Sequence, residues 1–420
     1  MSKPTVVISG GGVTGACLAY LLGKHNFHVT VLERSAKGVA EQGQIIDVEG
    51  PARKVMERMG LIDRLREFTT KEEGIKLVDA DSRTLAFIPV GETSASNELE
   101  LMRSDLVRVL YEAATQFSNV TFRYGCSIES IQQTSTNVTV EVKDRDKDTI
   151  KSETYDFLVA CDGLRSRTRD MILDPTESEN CIKALKLFIA FFSIPAESRD
   201  RPFQRFYHAP GRRGILCKPY SEKESSMYVM LGSRKDPTSL REARLSRDIQ
   251  RQKEIMRDIF EGAGWETERF LKGMMETQNF YFEEISQVHL SKWHKGRCIL
   301  LGDTAYAPSP LTGQGTNLAI MGAYTLAFHL VKQKDQLRHS ETLTAAFEAY
   351  EKQFRPYVDK TQPLPLGGDP TYFTLPETSW GIWAFRWSVW LVAATRFWKW
   401  FPTRIFDIGN VPYELPDLEC

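Results

Sequence analysis

Short apolar runs punctuated by glycine alternate with stretches of helical period along the first third of the chain. Thr5–Ser9 (TVVIS) is an unbroken apolar run of the length of a buried strand. A glycine-rich stretch from Gly10 to Gly15 follows, then Ala16–Lys24 with helical character, then Val29–Glu33 (VTVLE) as a second strand. That order predicts a βαβ unit. From Gly74 to Val90 the texture changes to alternation, Leu99–Gln116 predicts a helix with Leu106 and Leu110 inward, and Val120–Thr149 reads as strands and turns. Phe157–Ala160 is another short apolar strand. The region from about 180 to 284 is β-rich, as in Leu187–Ser193 and Met227–Leu231, with a charged helical stretch from Arg241 to about Gly262. A buried strand returns at Arg297–Gly302, and a helix starts near Gly315. Beyond about 340 the chain is helical and rich in aromatic residues.

Composition narrows the classes. The 420 residues carry a net charge of −1 with no long basic run, which predicts no nucleic-acid partner. Seven cysteines are scattered, odd in number and without a C-x-x-C pair, and no signal peptide opens the chain; both features predict free thiols and a cytoplasmic setting. The histidines form no metal-spaced cluster, so no metal site is expected. Six of the eight tryptophans lie at 380, 383, 387, 390, 398 and 400, the first four at i, i+3, i+7, i+10. The expected role of this stripe is a terminal helix docking across the domains. The alternatives are self-association, or membrane-surface contact with Arg386, Arg396, Lys399 and Arg404 meeting head groups. The apolar stretch 380–394 is short of the roughly 20 residues a membrane span needs.

The first chemical signal is Gly10-x-Gly12-x-x-Gly15 between strand and helix. Gly10 permits the tight turn, Gly12 lets backbone approach a pyrophosphate, and Gly15 lets helix and strand pack closely. Phosphates would sit at a helix N-terminus, where free N–H groups and the dipole favour negative charge. Glu33 ends the second strand, where an acid binds adenosine ribose hydroxyls, and Arg34 follows it. These residues predict a dinucleotide site and leave FAD against NAD(P) open.

Two further motifs follow in order: Asp162-Gly163-Leu-Arg-Ser166-Arg-Thr-Arg169 after an apolar strand, and Gly302-Asp303-Thr-Ala-Tyr306-Ala-Pro-Ser-Pro310-Leu-Thr-Gly313-Gln-Gly315-Thr316-Asn317. With the first, they make the chain resemble the class A flavoprotein monooxygenases, which include aromatic hydroxylases and tetracycline-inactivating enzymes, over roughly residues 4–330. The resemblance implies FAD, with Asp162 and Gly163 behind the pyrophosphate and near the nicotinamide donor, Asp303 on the ribityl chain, and the loop Pro310–Asn317 beside the isoalloxazine. It also implies Arg103 at the FAD phosphates and Gly43 and Gln44, with less weight on Asp47, along the path to the substrate cavity. The glycines at 313 and 315 admit a flat ring, and the helix after them turns its positive end to the ring edge that carries charge on reduction. Two residues depart from the family pattern: Tyr306 stands where His is usual, and Thr304 where Ala is frequent.

The fold expected is α/β: a Rossmann-like FAD-binding domain from discontinuous segments 1–73, 99–178 and 285–340, an inserted mostly β substrate domain from 74–98 and 179–284, and a C-terminal helical, Trp-rich segment from 341 to 420. The activity implied is NAD(P)H- and O2-dependent oxygenation, through a flavin C4a-hydroperoxide, of a small aromatic or polycyclic substrate, with NADPH or NADH as transient reductant. The cofactor carries the chemistry, so no catalytic triad or acid–base pair is required, and no catalytic residue is assigned. Substrate-side candidates are Phe191, Phe192, Phe206, Tyr207, His208 and Lys218, with Arg205 or His208 as a basic group favouring a phenolate. Alternatives are a flavin oxidase or reductase on the same scaffold, a non-catalytic FAD-bound protein, and a halogenase, whose W-x-W-x-I-P signature is only partly matched at Trp398–Pro402. A substrate from specialised metabolism is an expectation by analogy alone.

Overall fold

The computed structural model describes residues 3–36, 44–70, 72–89, 99–233, 237–364, 375–395 and 412–419. Gly43 falls outside them, as do Arg396, Trp398, Lys399, Trp400 and Arg404.

The fold is α/β. A six-stranded sheet runs in the order 294–295, 298–300, 157–160, 5–9, 28–33, 120–124, parallel throughout except for its terminal hairpin. Phe157–Ala160 and Cys298–Leu300 are buried along their whole length, which is why they read as continuous apolar runs. Helices Val13–Lys24 and Gly315–Lys332 pack against each other on this sheet. A three-stranded antiparallel sheet (126–133, 138–144, 149–155) attaches beside it.

The second body is a seven-stranded sheet ordered 280–288, 182–195, 224–232, 213–219, 204–209, 74–78, 84–89. Two segments far apart in sequence therefore share one sheet through the parallel pairing of 74–78 with 204–209. Strand Phe280–Val288 runs across position 284, where the sequence places a domain boundary. One face buries Phe188, Phe192, Tyr207 and Val229 beneath helices Thr238–Ser246, Ile249–Phe260 and Thr267–Glu276.

Leu99–Gln116 is not one helix. Glu100–Met102 is a strand paired antiparallel with Ile45–Asp47, and the helix is Arg103–Ala114. The pairing is tertiary and leaves no local signal. Leu106 and Leu110 do face the core, both fully buried. Helix Ser340–Thr361 closes the far side with Phe347, Tyr350, Phe354 and Tyr357 inward, and Tyr413 packs on Phe354 and Tyr357.

Candidate functional site

The three motifs meet at the C-terminal edge of the six-stranded sheet, where strand 5–9 has neighbours running on from either side. Crevices at such switch points are where open α/β sheets bind ligands. Gly10 has φ +105°, and a side chain there would begin 2.5 Å from the Cys161 carbonyl oxygen. A side chain on Gly15 would begin 2.0 Å from the Gly10 carbonyl oxygen. The turn thus closes against the strand that leads to Asp162, and only glycine fits at both points. The Arg103 guanidinium stands 3.3 Å from where a Gly12 side chain would begin. No side chain caps helix Val13–Lys24, so its first N–H groups remain available for an anion. The Glu33 carboxylate accepts from the Gly11 N–H at 2.9 Å and the Ser35 N–H at 2.8 Å, which fixes it beside the glycine turn. Arg34 is exposed.

Asp162 turns its carboxylate inward. It accepts from the Ser166 hydroxyl and from the Thr168 N–H and hydroxyl at 3.1 and 2.9 Å. Ser166 in turn caps helix Arg167–Ile172 by accepting from the Arg169 N–H. Asp162 therefore organises the turn, and Gly163, with open space around its α-carbon, presents backbone. The fully buried Arg169 donates to the carbonyls of Leu164 and Thr304, 3.1 Å each. The Gly163 N–H donates to the Thr304 hydroxyl at 2.9 Å. Thr304, one of the two departures from the family pattern, is thus the strut joining second and third motifs.

Asp303 opens helix Asp303–Tyr306, and its carboxylate lies 3.9 Å from where a Gly315 side chain would begin. It keeps an accessible surface, yet the protein crowding it raises its carboxyl above the ordinary range, against the lowering pull of Arg103. Pro310 starts a short 3-10 turn that ends at Gly313, in left-handed conformation with φ +66°. Helix Gly315–Lys332 follows without a side-chain cap or an acid in its first turn. Thr316 is half-buried. The Asn317 amide oxygen accepts from the Glu49 N–H at 3.1 Å, and the Gln314 amide donates to the Glu49 carboxylate at 2.9 Å. These bonds tie the glycine loop to Glu49, two residues beyond strand Ile45–Asp47 and at the start of helix Gly50–Arg58, while the Gln44 carbonyl accepts from the Arg103 N–H at 2.9 Å. Asp47 is half-buried on that strand. Tyr306 points away from this edge: its hydroxyl meets that of Tyr350 at 2.9 Å in an aromatic cluster with Trp293 and Phe354.

The seven-stranded sheet presents its second face to the glycine loop. Leu185, Leu187, Ile189, Phe191 and Ile285 form one apolar cluster with Phe206, Tyr228, Met230 and Leu311 of the loop itself. Strand alternation divides the substrate-side candidates. Phe191 and Phe206 lie on this face, Phe192 and Tyr207 on the other. His208 is buried against Phe206 and Phe385. Arg205 is committed to Asp200 and Glu266 in a buried ion network, which leaves it unsuited to favour a phenolate. Lys218 is buried and ion-paired with Glu100, which also accepts from Thr70. Glu72 joins this group; burial, the hydrogen bond to Glu100 and its charge push the Glu72 carboxyl up to about 9. Residues this far apart in sequence (72, 100, 218) give no pattern to read, and the sequence does not predict the cluster.

The cradle tests well against a flavin dinucleotide: two uncapped helix N-termini, an arginine over the first glycine turn, an acid at the second strand's end, and open backbone at Gly163 and Gly313. Among the described residues no group of three or more His, Cys, Asp or Glu is arranged to hold a metal ion.

The chain matches the sequence model described as FAD binding domain over residues 3–360. It is 36% identical to "Monooxygenase CTB7" of Cercospora beticola over 428 aligned positions, covering 100% of this chain and 98% of that protein. It is 30% identical to "FAD-dependent monooxygenase asL4" of Sarocladium schorii, with 94% of each chain covered. Among solved structures it superposes on tetracycline destructase Tet(51) with a TM-score of 0.75 and 26% identity, each chain covered in full.

Proposed function

Because the chain belongs to the FAD-dependent monooxygenases of the FAD-binding-domain family, we propose that it uses NAD(P)H and O2 to place one oxygen atom on a small, largely apolar aromatic or polycyclic substrate. The observation that carries this reading is the juxtaposition of the apolar sheet face, Leu187, Ile189, Phe191, Phe206 and Met230, with the glycine loop at Leu311. A flat ring system would meet an aromatic-aliphatic wall on one side and loop backbone on the other, and such a wall would exclude water from a reactive oxygen species. The names of relatives agree in kind: a tetracycline is polycyclic.

FAD, when bound, supplies hydride acceptance and oxygen transfer. The protein supplies position and electrostatics. The assignments to the cofactor are Gly10, Gly12, Gly15 and Arg103 at the pyrophosphate, Glu33 and Arg34 at the adenosine end, Gly43 and Gln44 along the ring-side path, Asp162 and Gly163 behind the phosphates, Asp303 at the ribityl chain, and Pro310, Gly313, Gly315, Thr316 and Asn317 beside the ring. The helix N-terminus at Gly315 would favour negative charge on a ring bound beside it. The C4a-hydroperoxide route expected from the sequence, the segmental domain division and a cytoplasmic setting belong to the same proposal.

The test is turnover of the holoenzyme with NADPH or NADH under 18O2 and a panel of polycyclic phenols and quinones. One 18O atom in the product, with reductant oxidised in step, is expected. Reductant consumed with hydrogen peroxide as sole product for every compound would point to an oxidase and overturn the reading.

A further inference from the structure

Helix Ser379–Thr395 docks on the outer edge of the seven-stranded sheet, against strands Thr84–Pro89 and Gln204–Ala209. Its entry is anchored: the Gly211 N–H donates to the Glu377 carbonyl at 2.8 Å, and Leu375 is buried against Gly214. The docked side uses Ile382, which is buried, and Phe385, whose ring lies 4.9 Å from that of His208. The tryptophans are on the other side. Trp380, Trp383, Trp387 and Trp390 are 74, 55, 52 and 47% exposed. At 100° per residue the four fall within an arc of about 80°, roughly opposite Ile382 and Phe385. Trp383, Trp387 and Trp390 also contact one another, with centroids 5.9 and 5.2 Å apart. The stripe expected to dock the helix is therefore the face the helix leaves outward.

Such a face needs a specific occupant, since exposed apolar patches of this kind mark interaction sites. Charge identifies it. Between Glu377 and Asp407 the sequence contains no acidic residue and four basic ones, Arg386, Arg396, Lys399 and Arg404. Arg386 flanks the stripe, half-buried, with its Nε turned into the protein near Tyr207; the other three lie outside the described residues, so their charge is read from the sequence alone. Tryptophan prefers the boundary between lipid head groups and acyl chains, and basic side chains beside it favour anionic head groups. No described helix is long and apolar enough to cross a membrane. A helix that lies on the surface is what remains consistent with length, charge and exposure.

We propose that the Trp380–Trp390 face docks the enzyme on an anionic lipid surface. The Phe385–His208–Phe206 ring contacts link the docked helix to the apolar sheet face, which the proposed function assigns to substrate.

The test is co-sedimentation of the full-length holoenzyme with vesicles of phosphatidylcholine containing phosphatidylserine, against phosphatidylcholine alone. Binding to the anionic vesicles is expected, weakening with added salt. The combined change Trp380→Ser, Trp383→Ser, Trp387→Ser and Trp390→Ser is expected to cut the partition coefficient at least about tenfold, with bound-FAD absorbance and thermal midpoint unchanged. The pair Trp383→Ser and Trp387→Ser serves if the fourfold variant loses its fold. No binding by the parent protein, or equal binding by parent and variant, would overturn the proposal. So would a tryptophan-dependent dimer in sedimentation velocity without vesicle binding, which assigns the face to self-association. Binding is read without turnover, so its failure leaves the proposed reaction standing.

Discussion

Replacing Arg103 by Met measures how much of FAD affinity one cation supplies. Arg103 opens its helix with its N–H held by the Gln44 carbonyl at 2.9 Å, and its guanidinium overhangs Gly12, 3.3 Å from where a side chain there would begin. A phosphate admitted by that glycine meets the guanidinium within contact range. Two unit charges about 4 Å apart interact by about 4 kcal/mol at an effective dielectric of about 20, which is an upper bound here. Arg103 is exposed, so water competes. A charge-assisted hydrogen bond nets about 1.5–3 kcal/mol. At about 1.4 kcal/mol per tenfold, Arg103→Met should raise the FAD Kd roughly 10- to 150-fold. Apoprotein titrated with FAD, followed by flavin fluorescence at fixed salt, gives the value directly. Arg103→Lys keeps charge but loses the planar fork and should fall between parent and Met variant. Removing Arg103 also removes a lowering influence on the Asp303 carboxyl, which the surrounding protein already raises. Any protonation of Asp303 that alters FAD affinity should therefore shift to higher pH in the Met variant. An Arg103→Met Kd within about twofold of the parent would refute the placement of the pyrophosphate at this turn.

Two further outcomes test the scaffold. Burial and Glu100 push the Glu72 carboxyl from 4.5 up to about 9, so the folded chain keeps a proton there that the unfolded chain loses. Stability from this group is complete below pH about 4.5 and falls as pH rises towards about 9; Glu72→Gln should flatten the fall in thermal midpoint over that window, and an unchanged slope would exclude the assignment. A side chain on Gly322 would begin 2.2 Å from the Tyr306 hydroxyl, which Tyr350 and Trp293 hold in place. Gly322→Ala should cost about 1–3 kcal/mol by overpacking, and Tyr306→Phe in the same chain should recover part of it although it is destabilising alone. Strictly additive changes in thermal midpoint would show that the two sites do not touch.

What could be read from the sequence shares a physical character. Gly10 and Gly15 are legible because a positive φ and a 2.0 Å approach to backbone admit one residue type, wherever the partner lies in sequence. Apolar runs such as Phe157–Ala160 are legible because burial on both faces leaves no polar position. What the sequence hides depends on partners. Glu100–Met102 reads as helix until Ile45–Asp47 pairs with it. Thr304 registers only as a departure from a pattern; its meaning, a hydroxyl at 2.9 Å from the Gly163 N–H, requires the second motif in place. Glu72, Glu100 and Lys218 carry no spacing to notice.

The tryptophan helix shows the limit of periodicity itself. The i, i+3, i+7, i+10 spacing correctly implies a helix with one aromatic stripe, but a period specifies a face and not its surroundings. Burial follows from what the rest of the chain offers that face. Here the helix buries Ile382 and sets Phe385 on His208 of strand Gln204–Ala209, a smaller surface that the spacing hid behind four larger rings. Charge is the better guide to which face turns outward. A helix whose aromatic stripe fills a protein core needs no cations beside it, whereas a stretch from Glu377 to Asp407 with four basic residues and no acid is patterned for something anionic outside the fold. An aromatic period therefore marks a core face only where the charges around it agree, and around Trp380–Trp390 they do not.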